Sequence, residues 1–179
     1  MLFEIQTFGK KVLRTATKEV PEINDEVRKF VSNMFETMYA AEGIGLAAPQ
    51  VDRSIRLFIV DLSPMDESEH KRVYINPKIY ALGEQTDEYE EGCLSLPTIR
   101  EVVTRPTSLK IRYQNLEGHP FDEEVDGFLA RVIQHEYDHL EKTLFVDHLS
   151  SLKRSLLKKT LNKIASGEIE IEASENFEL

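Results

Sequence analysis

The stretch FLARVIQHEYDHL, residues 128–140, carries the strongest signal in this chain. Phe128, Val132 and Ile133 recur at helical spacing, so a helix is expected to open after Asp126-Gly127 and run toward Leu144. His135 and His139 stand four residues apart, just over one turn, so both imidazoles project from one face and can share a metal ion. Glu136 lies beside the first of them and can reach a metal-bound water without ligating, the placement of a general base in metal-assisted hydrolysis. Histidines on a helix also serve packing and surface hydrogen bonds. A third ligand is what separates a metal site from an ordinary helix face.

Many peptidases with His-Glu-x-x-His supply that ligand downstream, as a histidine in an extended motif or a glutamate on a later helix. Here His139 is followed by LEKTLFVDHL, with no glycine or histidine at the required offset. Glu141, Asp147 and His148 stay open on spacing alone, although each reads more simply as a solvated helix residue. Cys93 is the better candidate, because a thiolate, two imidazoles and a water complete a tetrahedral site with one exchangeable position. It sits in Glu91-Gly92-Cys93-Leu94-Ser95-Leu96-Pro97, a strand-like segment with a glycine at its side. Without such surroundings a lone cysteine is usually an inert buried residue.

Around this helix, 179 residues with 41% apolar content suit a single domain over residues 1–166, followed by an acidic tail over 167–179. The 22 basic and 32 acidic residues give a net charge of -10, which disfavours a broad phosphate-binding surface and argues against DNA as a partner. With one cysteine there is no intrachain disulfide, as fits a reducing compartment. No stretch has the apolar length of a membrane span, and MLFEIQTFGK lacks a basic flank with an apolar run behind it. A soluble, intracellular protein is expected; an organellar location would require a transit segment removed from the N-terminus.

A first helix is expected from Asn24 or Asp25, with Val27, Phe30, Val31, Met34, Phe35 and Met38 on its apolar face and Gly43 at its end. Residues 43–50, with two glycines and a proline, read as a shaped loop rather than a regular element. Strands are expected at 55–62, 73–76 and 109–114, and a hairpin turn at Leu116-Glu117-Gly118-His119. A last helix over 150–166 carries Leu152, Leu156, Leu157, Leu161 and Ile164 as an apolar stripe, with Gly167 as its stop. Beyond it, EIEIEASENFEL reads either as an edge strand or as a disordered tail.

Three segments together resemble the peptide deformylases: Gly43-Ile44-Gly45-Leu46-Ala47-Ala48-Pro49-Gln50, Glu91-Gly92-Cys93-Leu94-Ser95 and Gln134-His135-Glu136-Tyr137-Asp138-His139. They stand in the family's order, and the 43 and 42 positions from Gln50 to Cys93 and Cys93 to His135 are similar to its spacing. With Val12-Leu13-Arg14 the likeness reaches from near the start to about Leu149, although Lys10-Lys11 after Gly9 departs from the family's usual Gly-Asp-Pro-Val-Leu-Arg.

The resemblance implies an α+β fold with antiparallel sheets around a central metal-binding helix and a C-terminal helix. It implies a hydrolase that removes the formyl group from the N-terminal formyl-methionine of nascent polypeptides. Cys93, His135 and His139 would hold one divalent ion, natively Fe2+, with Zn2+, Ni2+ or Co2+ able to substitute. Glu136 would move the proton from the attacking water to the leaving amine, while Gln50 and the backbone N–H of Leu94 would stabilise charge on the formyl oxygen. Ile44, Gly45 and Gly92 would border the substrate, and Phe128, Arg131 and Val132 would face the methionine side chain. Arg131 is expected to lay its stem along that pocket and send its charge to solvent.

A His-Glu-x-x-His zinc peptidase is the alternative function, set back by the missing downstream ligand. A non-catalytic metal staple would need neither Glu136 nor Gln50. Separately, residues 150–166 hold five basic and no acidic side chains, so this helix is a candidate contact to ribosomal RNA.

Overall fold

The computed structural model describes residues 1–169. Helix α1, Asp25–Ala40, opens where the Asn24 side chain accepts the Val27 N–H at 3.1 Å, and Val31, Met34 and Met38 fill its buried face. Its stop differs from expectation. Glu42, rather than Gly43, takes the left-handed conformation (φ 56°), and the Gly43 N–H wraps back to the Met38 carbonyl at 2.9 Å.

The strands are β1 (Gly45–Ala47), β2 (Leu57–Val60), β3 (Arg72–Leu82), β4 (Thr86–Glu91), β5 (Glu101–Pro106), β6 (Ser108–Gln114) and β7 (Pro120–Asp126). Five form one antiparallel sheet in the order β1-β2-β3-β6-β7, while β4 and β5 form a two-stranded sheet of their own. β2 explains why both faces of the larger sheet are covered. Phe58 and Val60 point into one apolar cluster and Leu57 and Ile59 into another, so the strand reads as a continuous hydrophobic run. The three expected strands correspond to β2, the start of β3 and β6, and the hairpin turn closes where Asn115 N–H meets the His119 carbonyl at 3.0 Å. Residues 43–50 are more regular than expected, since they contain β1 and a short 3-10 turn over Ala48–Val51.

Helix α2, Gly127–Leu140, begins at Gly127 with φ 63°, whose N–H is held by the Thr107 carbonyl at 3.0 Å. It ends before Leu144, because Lys142 turns left-handed (φ 63°) and the Thr143 N–H closes on the Asp138 carbonyl at 2.9 Å. Ala130, Val132, Ile133 and Leu140 join the cluster that includes Phe58 and Val60, fixing α2 on the larger sheet, and α1 covers the opposite face.

Helix α3, Ser151–Ala165, is capped by the Ser150 side chain on the Lys153 N–H, and Gly167 follows it with φ 79°. Its expected stripe divides. Leu157, Leu161 and Ile164 pack in a third cluster with Cys93, Leu96 and Phe145, but Leu152 and Leu156 are 69% and 74% exposed. Most of the tail whose strand character was left open, residues 170–179, lies outside the described residues. No helix among the described residues is long and apolar enough to cross a membrane.

Candidate metal centre

Helix geometry brings His135 and His139 together as their spacing requires, with ring centroids 5.4 Å apart. Cys93 arrives from the loop after β4, and its Sγ lies 3.4 Å from His139 Nε2. One donor atom from each of the three residues fits within 4.8 Å of the others, and all three side chains are buried. Glu141, Asp147 and His148, open on spacing, are engaged elsewhere with Arg56, Arg14 and Asp138 respectively.

The Nδ1 of His135 lies 2.9 Å from Glu91 Oε2. Burial would raise the proton affinity of Glu91, but hydrogen bonds from His135 and Arg105 hold it well below the usual carboxylate range. As an ionised acceptor, Glu91 accepts the Nδ1–H hydrogen bond and orients the ring; burial would lower the His135 pKa, but contact with Cys93 and Glu91 raises it well above its ordinary value, so a metal would take the place of the Nε2 proton. Burial, with His135 beside it, pushes His139 down to about 3, so that ring is neutral. The donor set of one thiol and two imidazoles suits a divalent metal, and His139 Nδ1 and Glu136 Oε2 are buried polar atoms without a protein partner.

Glu136 stands beside the ligands, and burial lifts its pKa to about 7, close to that of a working general base. Room for its carboxylate comes from Gly45, where any Cβ would collide with Glu136 Oε1. Gln50 is fixed by its own loop. Its Oε1 accepts the Ala47 N–H at 2.8 Å, and its Nε2 is 3.2 Å from Ser95 Oγ and 3.6 Å from Cys93 Sγ. Ile44, Gly45, Gln50, Gly92, Leu94 and Glu136 meet with Cys93 and His135 around a cavity of about 20 Å3, on the order of one water molecule. A wider groove of about 540 Å3, between the N-terminal segment and the end of α3, contains none of these residues.

The three residues expected to face the methionine side chain lie outside that small cavity. Val132 is fully buried against the larger sheet, and Phe128 is half-buried with its ring 5.4 Å from Tyr89. Arg131 corrects the expectation of a charge sent to solvent. It is 3% exposed, and its guanidinium is turned inward to Glu91, Asp87 and the Val103 carbonyl. Sequence reasoning also passed over Glu91 and Arg105 as functional residues. Glu91 opens the segment Glu91-Gly92-Cys93-Leu94-Ser95, but only its inward turn at the end of β4 sets it apart in role from the exposed Glu88 and Glu90.

The family model described as polypeptide deformylase matches residues 2–155, most of the chain and every element of this site. The chain belongs to the peptide deformylase family. A deformylase of Acinetobacter baumannii (strain SDF) is 52% identical over 163 residues, covering 91% of this chain and 92% of that protein. The crystal structure of a peptide deformylase from Legionella pneumophila matches with a TM-score of 0.85 at 34% identity, covering 94% of this chain and 98% of that one. A plant peptide deformylase matches with a TM-score of 0.87 at 31% identity, covering 93% and 90%. The α+β fold expected from the sequence is the fold of these deformylases. Membership displaces the zinc-peptidase alternative, and the family is metal-dependent, in keeping with the cluster of Cys93, His135 and His139.

Proposed function

We propose that Cys93, His135 and His139 hold the metal of this deformylase, that Glu136 moves the proton, and that Gln50 and the Leu94 N–H steady the formyl oxygen. The reaction is hydrolysis of the N-terminal formyl group of formyl-methionyl nascent polypeptides, releasing formate. The observation that carries the site assignment is the buried triad of donor atoms with Glu136 Oε2 unpartnered beside it. A thiolate with two imidazoles accepts several divalent ions, and we assign Fe2+ as the native one, with Zn2+, Ni2+ or Co2+ as substitutes. When bound, the ion supplies Lewis acidity and lowers the pKa of a water.

The residues then divide the work. Glu136, buried and with a pKa of about 7, takes the proton of the attacking water and returns it to the amine as the C–N bond breaks. Gln50, held by Ala47 through Oε1, keeps Nε2 at the cavity, where it can exchange its long contact with Cys93 Sγ for the developing oxyanion. β1 and β4 are edge strands, so backbone at Ile44, Gly45 and Gly92 is suited to hold the substrate as an added strand. Of the α2 residues, only the half-buried Phe128, beside Tyr89, is assigned to the methionine side chain.

The assigned location is the bacterial cytoplasm, in keeping with bacterial relatives such as that of Acinetobacter baumannii. α3 is assigned to ribosomal RNA, because Lys153, Arg154, Lys158, Lys159 and Lys163 share it with the exposed Leu152 and Leu156. Unchanged co-sedimentation with ribosomes after charge reversal at Lys158 and Lys159 would sink that assignment. The reaction is tested by formate release from a short formyl-methionyl peptide with anaerobically prepared, iron-loaded enzyme. Rapid release that a chelator abolishes is expected, and no release from folded, metal-loaded protein would overturn the reading.

A further inference from the structure

Arg131 is a buried charge one helical turn before His135, and packing alone gives no reason for a guanidinium there. Its contacts centre on Glu91, which is fully buried. An ionised carboxylate has about four acceptor positions. Four donors fill them: Oε1 takes Arg105 Nε at 2.6 Å and Arg131 Nη1 at 2.8 Å, while Oε2 takes Arg105 Nη2 at 3.0 Å and His135 Nδ1 at 2.9 Å. With every position taken, the carboxylate has no freedom to turn, and the His135 ring that leans on it is fixed in the same way.

Arg131 does more than complete this set. Nη1 also donates to the Val103 carbonyl at 3.1 Å, and Nη2 donates to the Asp87 carbonyl at 3.1 Å and to its Oδ1 at 2.5 Å. One planar fork therefore joins α2 to both strands of the two-stranded sheet, and β4 of that sheet leads directly into Gly92 and Cys93. A small sheet of this kind has little apolar core with which to hold its place. Lysine, a point charge on a flexible stem, has no fork to span these partners.

We propose that Arg131 is a positioning residue of the metal centre, locking the Glu91 carboxylate that orients His135 and holding β4, and so Cys93, against helix α2. The inference rests on the reading of Cys93 and His135 as ligands, and cobalt separates the two claims. Wild-type apoprotein titrated with Co2+ should develop a thiolate-to-cobalt absorption that Cys93→Ala lacks; if it does not, the metal assignment fails.

Given that signal, Arg131→Met should hold Co2+ about 10–100-fold more weakly, with a shifted visible spectrum. Arg131→Lys should recover only part of the loss. If Arg131→Met keeps wild-type affinity and spectrum and merely melts at a lower temperature, Arg131 is structural and the proposal is overturned. Should the methionine variant not fold, Arg131→Lys decides alone, and wild-type cobalt affinity and spectrum in it overturn the proposal equally.

Discussion

The two sides of α2 are held by opposite physical means. Toward the five-stranded sheet, Ala130, Val132, Ile133 and Leu140 lie among Phe58, Val60, Leu109 and Ile111 in a mainly apolar contact. Toward β4 and β5, Arg131 and His135 meet Glu91 and Arg105 in a contact made almost wholly of ion pairs and hydrogen bonds. Apolar burial is non-directional and tolerates repacking, so it decides where the helix lies. The charged side is directional, and a buried ion network of this kind gives little net stability for its desolvation. Its use is to set the angle at which His135 and Cys93 face one another.

Substitutions on the two sides should therefore separate stability from metal binding. Arg105→Met strips two donors from Glu91 and one from Asp138. A loss of about 3 kcal/mol in stability is expected, together with weakened metal binding, because a buried charge loses its main partner. Chemical denaturation and metal titration would show both, and a variant that stays stable and tightly metallated would break the contrast. Ile133→Val, on the apolar side, should cost only about 0.5–1.5 kcal/mol and leave metal affinity and turnover unchanged. Impaired metal binding there would mean that packing as well as charge aims the ligands.

A surface pair gives the smallest effect. Arg14 and Asp147 form a bidentate contact, at 2.5 and 3.0 Å, in a partly exposed place, worth at most about 1 kcal/mol. Burial would raise the pKa of Asp147, but hydrogen bonds from Arg14 and the Leu144 N–H outweigh it and leave the pKa lowered. A lowered folded-state pKa stabilises above the unfolded carboxylate value of about 3.9, and that stability is lost as pH falls through the folded value. Asp147→Asn should accordingly flatten the acid limb of a stability profile measured from pH 6 to 3, with metal binding unaltered at neutral pH. An acid limb identical to wild type would show that the pair contributes nothing.

The same contrast explains which parts of the molecule the sequence disclosed. α1, α2, α3 and β6 were legible because each carries apolar residues at its own period, β2 because it is a continuous apolar run, and His135 and His139 because a helix turns spacing into proximity. β4 and β7 were not, since TDEYEE and PFDEEVD are acidic and largely exposed, with little of the β-branched content that marks a strand. Arg131 departs from expectation for a related reason: its place on α2 suggests a pocket wall, but its inward turn depends on Glu91 and Asp87, 40 and 44 residues earlier. Helix stops at Glu42 and Lys142 were equally hidden, because left-handed caps on charged residues leave no compositional mark. The division of Leu152 and Leu156 from Leu157 and Leu161 depends on where the third cluster lies, which a helical period alone does not say.

The central claim is that Cys93, His135 and His139 bind the metal while Glu136 works beside it without ligating. Its most direct test is a paired measurement of metal content and formate release for wild type and Glu136→Gln. The expected result is one metal per chain in both proteins, with formate release from the variant lower by about 10^2–10^4-fold. A variant that loses its metal would make Glu136 a ligand, and one that keeps both metal and wild-type turnover would remove it from the chemistry.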